Sequence, residues 1–157
     1  MSDNNIPRRL IAALALSAAG LVGIVAHEGY TDRAVIPVKG DVPTIGFGTT
    51  GGVKMGDTIT PPQALFRALT DVHKFEGALQ RCVIVPLHQH EYDAFVSLAY
   101  NIGEGAFCRS TLVRELNKAN YLGACREILR WDYANGQRLP GLTKRREAEY
   151  RQCLGVS

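Results

Sequence analysis

Hydrophobic positions along the chain begin with an uninterrupted run. Leu10 to Ala26 is 17 residues without a charge, entered through the basic pair Arg8-Arg9, and nine of the 17 are Ala, Gly or Ser. From Ala34 to Thr58 the periodicity shortens to β-type runs broken by Gly40-Asp41, Pro43, Gly46, Gly48, Gly51-Gly52 and Gly56-Asp57, which predicts a small hairpin or three-stranded sheet. Thr60-Pro61-Pro62 then starts a helix, with Thr60 as cap and proline at the first position. Ala64, Leu65, Ala68, Leu69 and Val72 carry it at helical spacing to about Leu79. His88 to Ile102 repeats the pattern through Tyr92, Phe95, Val96, Ala99 and Tyr100, and stops before Gly103-Glu104-Gly105. Further helices are predicted over Ser110 to Asn117, Tyr121 to Tyr133 and Leu142 to Cys153, with Trp131 in the core of the last lobe. The pattern predicts an α+β chain, mostly helical, with a small N-terminal β-hairpin lobe and a C-terminal helical lobe.

Composition narrows the class. A chain of 157 residues, 46% hydrophobic and without repeats, has the length for one well-buried core. Its 18 Lys and Arg against 15 Asp and Glu give +3, a mild basicity that suits an anionic envelope polymer and is too weak to imply nucleic acid. The four cysteines, Cys82, Cys108, Cys125 and Cys153, form no CxxC pair and have no histidine at ligand spacing, so no zinc site is expected. Two disulfides in an exported protein, or four buried thiols in a cytosolic one, both fit an even count.

The N-terminal run resembles the n-region and h-region of an export signal, and arginines before it favour a cytoplasmic N-terminus. It sits at the short limit for spanning a bilayer and is weakly apolar, so the membrane would hold it loosely. Cleavage near Ala18-Ala19-Gly20 or after Ala26 would strip support from Glu28. A buried core helix is the alternative, and it is also what the run would become after leaving the lipid.

Candidate chemistry gathers just beyond. Glu28 is the first acid after Asp3 and lies at the edge of the charge-free run, where a partly desolvated carboxyl can serve as a proton donor. Thr44-Ile45-Gly46-Phe47-Gly48 reads as a strand opened by glycine for a close ligand. An acid facing such a strand makes a cleft. In Lys144-Arg145-Arg146, Arg145 or Arg146 is a candidate to pair with and orient Glu28, the alternative being a solvated helix face. His88 and His90, near Glu91, suggest a metal, but histidines two apart on a helix point apart, and exposed side chains are expected.

Five ordered fragments carry a resemblance: Glu28-Gly29, Thr44 to Thr50, Ala99-Tyr100-Asn101-Ile102-Gly103, Phe107 to Leu112, and Leu142 to Arg146. Together they resemble the phage-type lysozyme family over nearly the whole chain, and the weakly apolar N-terminus resembles the signal-anchor-release endolysins of that family. The resemblance implies a signal-anchor-release segment at 1–27 and a lysozyme-like catalytic domain at 28–157. It further implies hydrolysis of the beta-1,4 bond between N-acetylmuramic acid and N-acetylglucosamine in peptidoglycan, by a monomer that needs no cofactor or metal and binds no nucleic acid. Location would change from tethering at the host inner membrane to release into the periplasm. Glu28 would be the acid and Thr44 would position the attacking water.

Where the family places its third catalytic member, counted from Glu28 or back from Thr44, stand Pro37 and Val38. Neither can act as a base. Asp41, the nearest acid on the loop, is the candidate for the displaced carboxylate, with a turn aspartate beside glycine as the alternative. Asp32 is a weaker substitute, one turn from Glu28 if the helix continues. The family's saccharide groove maps to Thr50, Tyr100 and Ser110, although Tyr100 also fits a core position. Alternatives to a muramidase are a lytic transglycosylase using Glu28 alone, or a non-catalytic glycan-binding protein on the same scaffold. Of three possible cystine pairings, Cys82 with Cys108 and Cys125 with Cys153 is preferred, the second tying neighbouring helices.

Overall fold

The computed structural model describes residues 6–156; residues 1–5, which open the predicted basic region and include Asp3, and Ser157 lie outside the described residues. The apolar run is not one helix. Arg9 pairs with Leu87 in an isolated antiparallel bridge, Ile11–Ala13 form a 3-10 turn, Leu14 is extended, and only then does helix α1 begin, over Ala18–Glu28. Ser17 caps α1, its Oγ accepting from the Gly20 N–H at 3.0 Å. Ile11, Leu14 and Ile24 are buried while Leu10 and Val22 face solvent. Among the described residues no helix is long and apolar enough to cross a membrane. The expected boundary between residues 27 and 28 falls inside the last turn of α1, so segment and body share a helix.

Gly29, at φ +69°, ends α1 in a conformation that favours glycine. The helix therefore does not reach Asp32, which lies exposed in strand β1 (Thr31–Val35), and the expectation that Asp32 sits one turn from Glu28 is corrected. β1 pairs antiparallel with β2 (Thr44–Gly46), Thr31 opposite Gly46 and Val35 opposite Thr44. A bridge from Arg33 to Thr58 extends the hairpin on its other side. Ala34, Ile45 and Val53, with Ile59 against them, make a small core beneath it.

Helix α2 (Pro61–Cys82) joins the two lobes. The Gln63 side chain accepts the Thr60 N–H at 3.0 Å and Pro61 fills the first turn. Its early turns meet the hairpin closely, since a Cβ on Gly46 would stand 2.9 Å from that of Ala64. Helix α3 (Gln89–Ile102) is buried without a break from Glu91 to Ala99 and forms the axis of the helical lobe. Around it lie α4 (Glu104–Cys108), α5 (Thr111–Asn117), α6 (Tyr121–Glu127) and α7 (Pro140–Cys153). The helix expected to run to Tyr133 stops at Glu127, continues as a 3-10 turn to Arg130, and gives way to a hairpin, β3 (Tyr133–Ala134) with β4 (Gln137–Arg138). Asn135 and Gly136 turn that hairpin at φ +52° and +76°, the signature of an Asn-Gly turn. Trp131 packs partly buried against the main core.

Cys82–Cys108 ties the end of α2 to α4, and Cys125–Cys153 ties α6 to α7, with Cα separations of 5.6 and 5.7 Å. Each cross-link stabilises the fold by about 2 to 4 kcal/mol. His88 caps α3 from outside the helix, so the rings of His88 and His90 stack at 5.2 Å instead of pointing apart, and both are half-buried.

Candidate active site

Glu28 is the last residue of α1, and its side chain is 18% exposed. Arg145 on α7 donates from Nη1 to Glu28 Oε1 at 2.6 Å. Arg145 is itself held by Glu149, one turn further along α7, which accepts from its Nε at 3.1 Å and from Ser97 Oγ at 2.7 Å. Arg146 does not reach Glu28. It is fully buried, donating to Asn101 Oδ1 at 2.8 Å and lying 3.0 Å from Glu149 Oε2, an ion pair whose geometry is off line for a hydrogen bond. The alternative of a solvated basic face is corrected for both arginines: Lys144 alone of the three is exposed. Glu28, Arg145, Glu149 and Arg146 thus form a row of alternating charges running from the cleft into the core. Burial, then the Arg145 guanidinium, holds neighbouring His27 below the usual histidine range, so that ring is neutral at pH 7.

Beside Glu28 stands the turn that follows β2. Ile45 and Thr49 exchange both backbone hydrogen bonds, at 2.9 and 3.0 Å, leaving Gly46-Phe47-Gly48 as a tight connection. Two interactions fix this turn. Thr49 Oγ1 donates to Asp71 on α2 at 2.7 Å, and the Tyr100 hydroxyl donates to the Phe47 carbonyl at 2.9 Å. Burial first, then the Asp71 and Glu28 carboxylates, pushes the Tyr100 hydroxyl well above the usual tyrosine range, so it remains a donor. Tyr100 therefore spans from α3 to the hairpin, its ring 5.2 Å from that of Phe75.

Gly48 explains the glycine in the motif. It has φ +87°, and a Cβ there would sit 3.1 Å from Glu28 Oε2. Gly48→Ala is expected to lower lytic activity by about tenfold, because the methyl crowds the carboxyl, and to cost about 1 to 2 kcal/mol of stability for a left-handed alanine. Turbidity assays and urea unfolding of the variant measure the two effects separately.

The remaining expected site residues make local contacts or face solvent. Thr44 pairs across the hairpin with Val35, and its hydroxyl donates to the Val42 carbonyl at 3.3 Å. Asp41 is exposed and its carboxylate accepts the Val42 N–H at 2.8 Å, closing the loop on itself. Thr50 is exposed just past the turn that follows β2. Ser110 is buried and caps α5: its Oγ accepts from the Val113 N–H at 3.1 Å and donates to the Phe107 carbonyl at 2.6 Å, which commits the hydroxyl to the fold. Reading the sequence missed Glu149, Ser97, Thr49 and Asp71. Glu149 had a signal, four residues after Arg145 on one helix. Asp71 had none, because its partner lies on a distant loop.

Known proteins resemble this chain in sequence and in fold. The family model described as phage lysozyme matches residues 25–149. An endolysin of Acyrthosiphon pisum secondary endosymbiont phage 1 is 41% identical over 85% of this chain and 94% of its own. A SAR-endolysin of Pseudomonas phage phiKMV is 38% identical over 89% of each chain. The solved endolysin from Escherichia coli O157:H7 phage FAHEc1 superposes with a TM-score of 0.80 at 36% identity, covering 90% of this chain and 94% of that one.

Proposed function

The chain belongs to the phage lysozyme family, and from that premise we propose that it is a peptidoglycan muramidase that cleaves the beta-1,4 bond between N-acetylmuramic acid and N-acetylglucosamine and so lyses its host. One observation carries the reading: a largely buried carboxyl, Glu28, is held by Arg145 beside Gly48, where the absence of a side chain leaves the carboxyl uncrowded. Glycoside hydrolysis needs such an acid to protonate the leaving oxygen, and a second polar group to serve the water or the oxocarbenium-like state.

Glu28 takes the first role. Thr44 positions the water, and Asp41, on the loop between β1 and β2, supplies the second carboxylate in place of Pro37 and Val38. Thr50 meets the saccharide, while Tyr100 shapes the groove by holding Phe47. Asp41→Asn is expected to reduce lysis of outer-membrane-permeabilised Gram-negative cells by about 10- to 100-fold with the fold retained. Near-wild-type lysis would reduce the machinery to Glu28 and Thr44.

The product distinguishes the reaction classes. A hydrolase leaves a reducing end on digested peptidoglycan, and a transglycosylase leaves an anhydro-sugar, so reducing-end analysis is the deciding assay. Folded, oxidised protein that lyses nothing would instead favour a glycan-binding role.

The SAR-endolysin relatives support a further part of the reading. Residues 1–27 serve as a weak signal anchor that tethers the exported enzyme at the host inner membrane, and their departure from the lipid frees a monomeric enzyme in the periplasm. The segment's many small residues make that departure inexpensive.

A further inference from the structure

A second hollow lies between the first hairpin and the opening turns of α2. It measures about 620 Å³, inside the range of roughly 300 to 1,000 Å³ in which proteins hold small ligands. Ile45, Ile59 and Phe66 give it an apolar lining, to which Asp57, Gln63 and Arg67 add a carboxylate, an amide and a guanidinium.

Both walls are fixed by the fold. On one side the Asp57 carbonyl accepts the Ala34 N–H at 3.0 Å, the Ile59 N–H donates to the Asp32 carbonyl at 2.9 Å, and the Tyr30 hydroxyl donates to the Ile59 carbonyl at 3.0 Å. On the other, Gln63 Oε1 accepts from the Thr60 N–H at 3.0 Å and from the Thr60 hydroxyl at 3.1 Å, which leaves the amide nitrogen to donate elsewhere. Asp57 Oδ2 accepts the Lys54 N–H at 2.9 Å, and Oδ1 stays open. Arg67 has no hydrogen-bond or ion-pair partner among the described residues, although Asp57 lines the same cavity. Phe66 is 72% exposed beside them. Two opposite charges that do not pair, set around a bare ring, suit a ligand that carries both an ammonium and a carboxylate next to small apolar groups.

We propose that this cavity binds the peptide stem of peptidoglycan. Arg67 and Gln63 donate to a stem carboxylate, Asp57 accepts from its free amine, and Phe66 packs on alanine methyl groups. The source of the peptide rests on the muramidase reading, and the position of the cavity agrees with it. Arg67 stands one turn before Asp71 on the same face of α2, about 6 Å along the axis. Asp71 holds Thr49, the neighbour of Gly48, which lies against the Glu28 carboxyl. Ile45 in the cavity lining is paired with the same Thr49. The stem site thus adjoins the turn beside the acid without reaching the bond that breaks, so its contribution falls on substrate capture. Because the walls are already held in place, little ordering opposes binding.

The test uses the full chain and a synthetic stem peptide of L-alanine, D-glutamate and diaminopimelate. Backbone amide shifts on titration are expected at Ile45 and across residues 57–67. Arg67→Gln is expected to weaken the measured Kd by about tenfold, the loss of one charge-assisted hydrogen bond, and Phe66→Ala to weaken it in the same direction. With stem-bearing peptidoglycan as substrate, Arg67→Gln is expected to raise KM while kcat stays within about twofold, the signature of lost uniform binding. Shifts absent from 57–67, or an Arg67→Gln protein that binds the peptide as wild type does, overturn the site. Wild type that binds the peptide there but digests no peptidoglycan overturns the muramidase reading and leaves the site standing.

Discussion

Glu28→Gln is expected to lower the rate of lysis of permeabilised Gram-negative cells by about 10²- to 10⁴-fold, the range attached to a positioned general acid. The amide is the same shape and its oxygen still accepts from Arg145 Nη1, the contact made at 2.6 Å in the native protein. What is lost is the proton that the leaving oxygen requires. Thermal unfolding of the variant is expected to stay within a few degrees of wild type, because Glu28 lies at the end of the charge row and keeps some solvent contact. A folded Glu28→Gln protein that lyses at the wild-type rate would move the acid elsewhere and end the proposed mechanism. Combined with Asp41→Asn, it also tests whether the two carboxyls act as a unit, since residues that do so lose far less together than the product of their separate effects.

Glu149→Ala is expected to have the largest effect on stability, a loss of about 3 to 5 kcal/mol in urea unfolding. Glu149 is 1% exposed and lies between two buried arginines, accepting from Arg145 Nε and Ser97 Oγ and pairing in charge with Arg146. Its removal leaves two guanidiniums buried against each other with Glu28 as the nearest compensating charge. Burial already draws the Arg146 guanidinium below the usual arginine range, and the Glu149 carboxylate is the largest influence opposing that. Lys144→Ala, on the exposed side of the same helix, is expected to change stability by no more than about 0.5 kcal/mol. If Glu149→Ala unfolded at the wild-type urea concentration, the row of charges would be an accessory of the fold instead of a support. Any variant that remains folded should also lose activity, because Arg145 would no longer be fixed against Glu28.

The two arginines show where local reading stopped. Lys144-Arg145-Arg146 has the composition of a solvated face, and nothing within a few residues says that two of the three are buried. That burial follows from α7 lying against α3, where Ser97 and Asn101 of α3 and Glu28 at the end of α1 await from two separate parts of the chain. The Ser110 hydroxyl gives the converse case. A serine before an apolar turn is a cap signal readable in sequence, and the structure spends the hydroxyl there. Likewise the helix expected to reach Tyr133 stops at Glu127, and beyond it Asp132 holds Arg138 at 2.9 Å and Thr143 at 3.0 Å, although Asn135-Gly136 already marked the turn that follows.

What the sequence determined by itself is local: where helices start at Thr60, His88, Ser110 and Asn120, that the backbone needs glycine at 46 and 48, although the strand expected to run through Gly48 ends at Gly46, and that an acid closes the apolar run. Each of these depends on groups a few residues apart, so periodicity and capping chemistry suffice to read them. What only the tertiary structure decided is every contact between charges distant in the chain: Arg145 on Glu28, Thr49 on Asp71, and the carboxylates of Glu76 and Asp93 on the backbone of Leu16 and Ser17. The apolar run is the clearest instance. Its composition permits either a continuous helix or a broken one, and the choice is made by acceptors that lie 60 and 76 residues away.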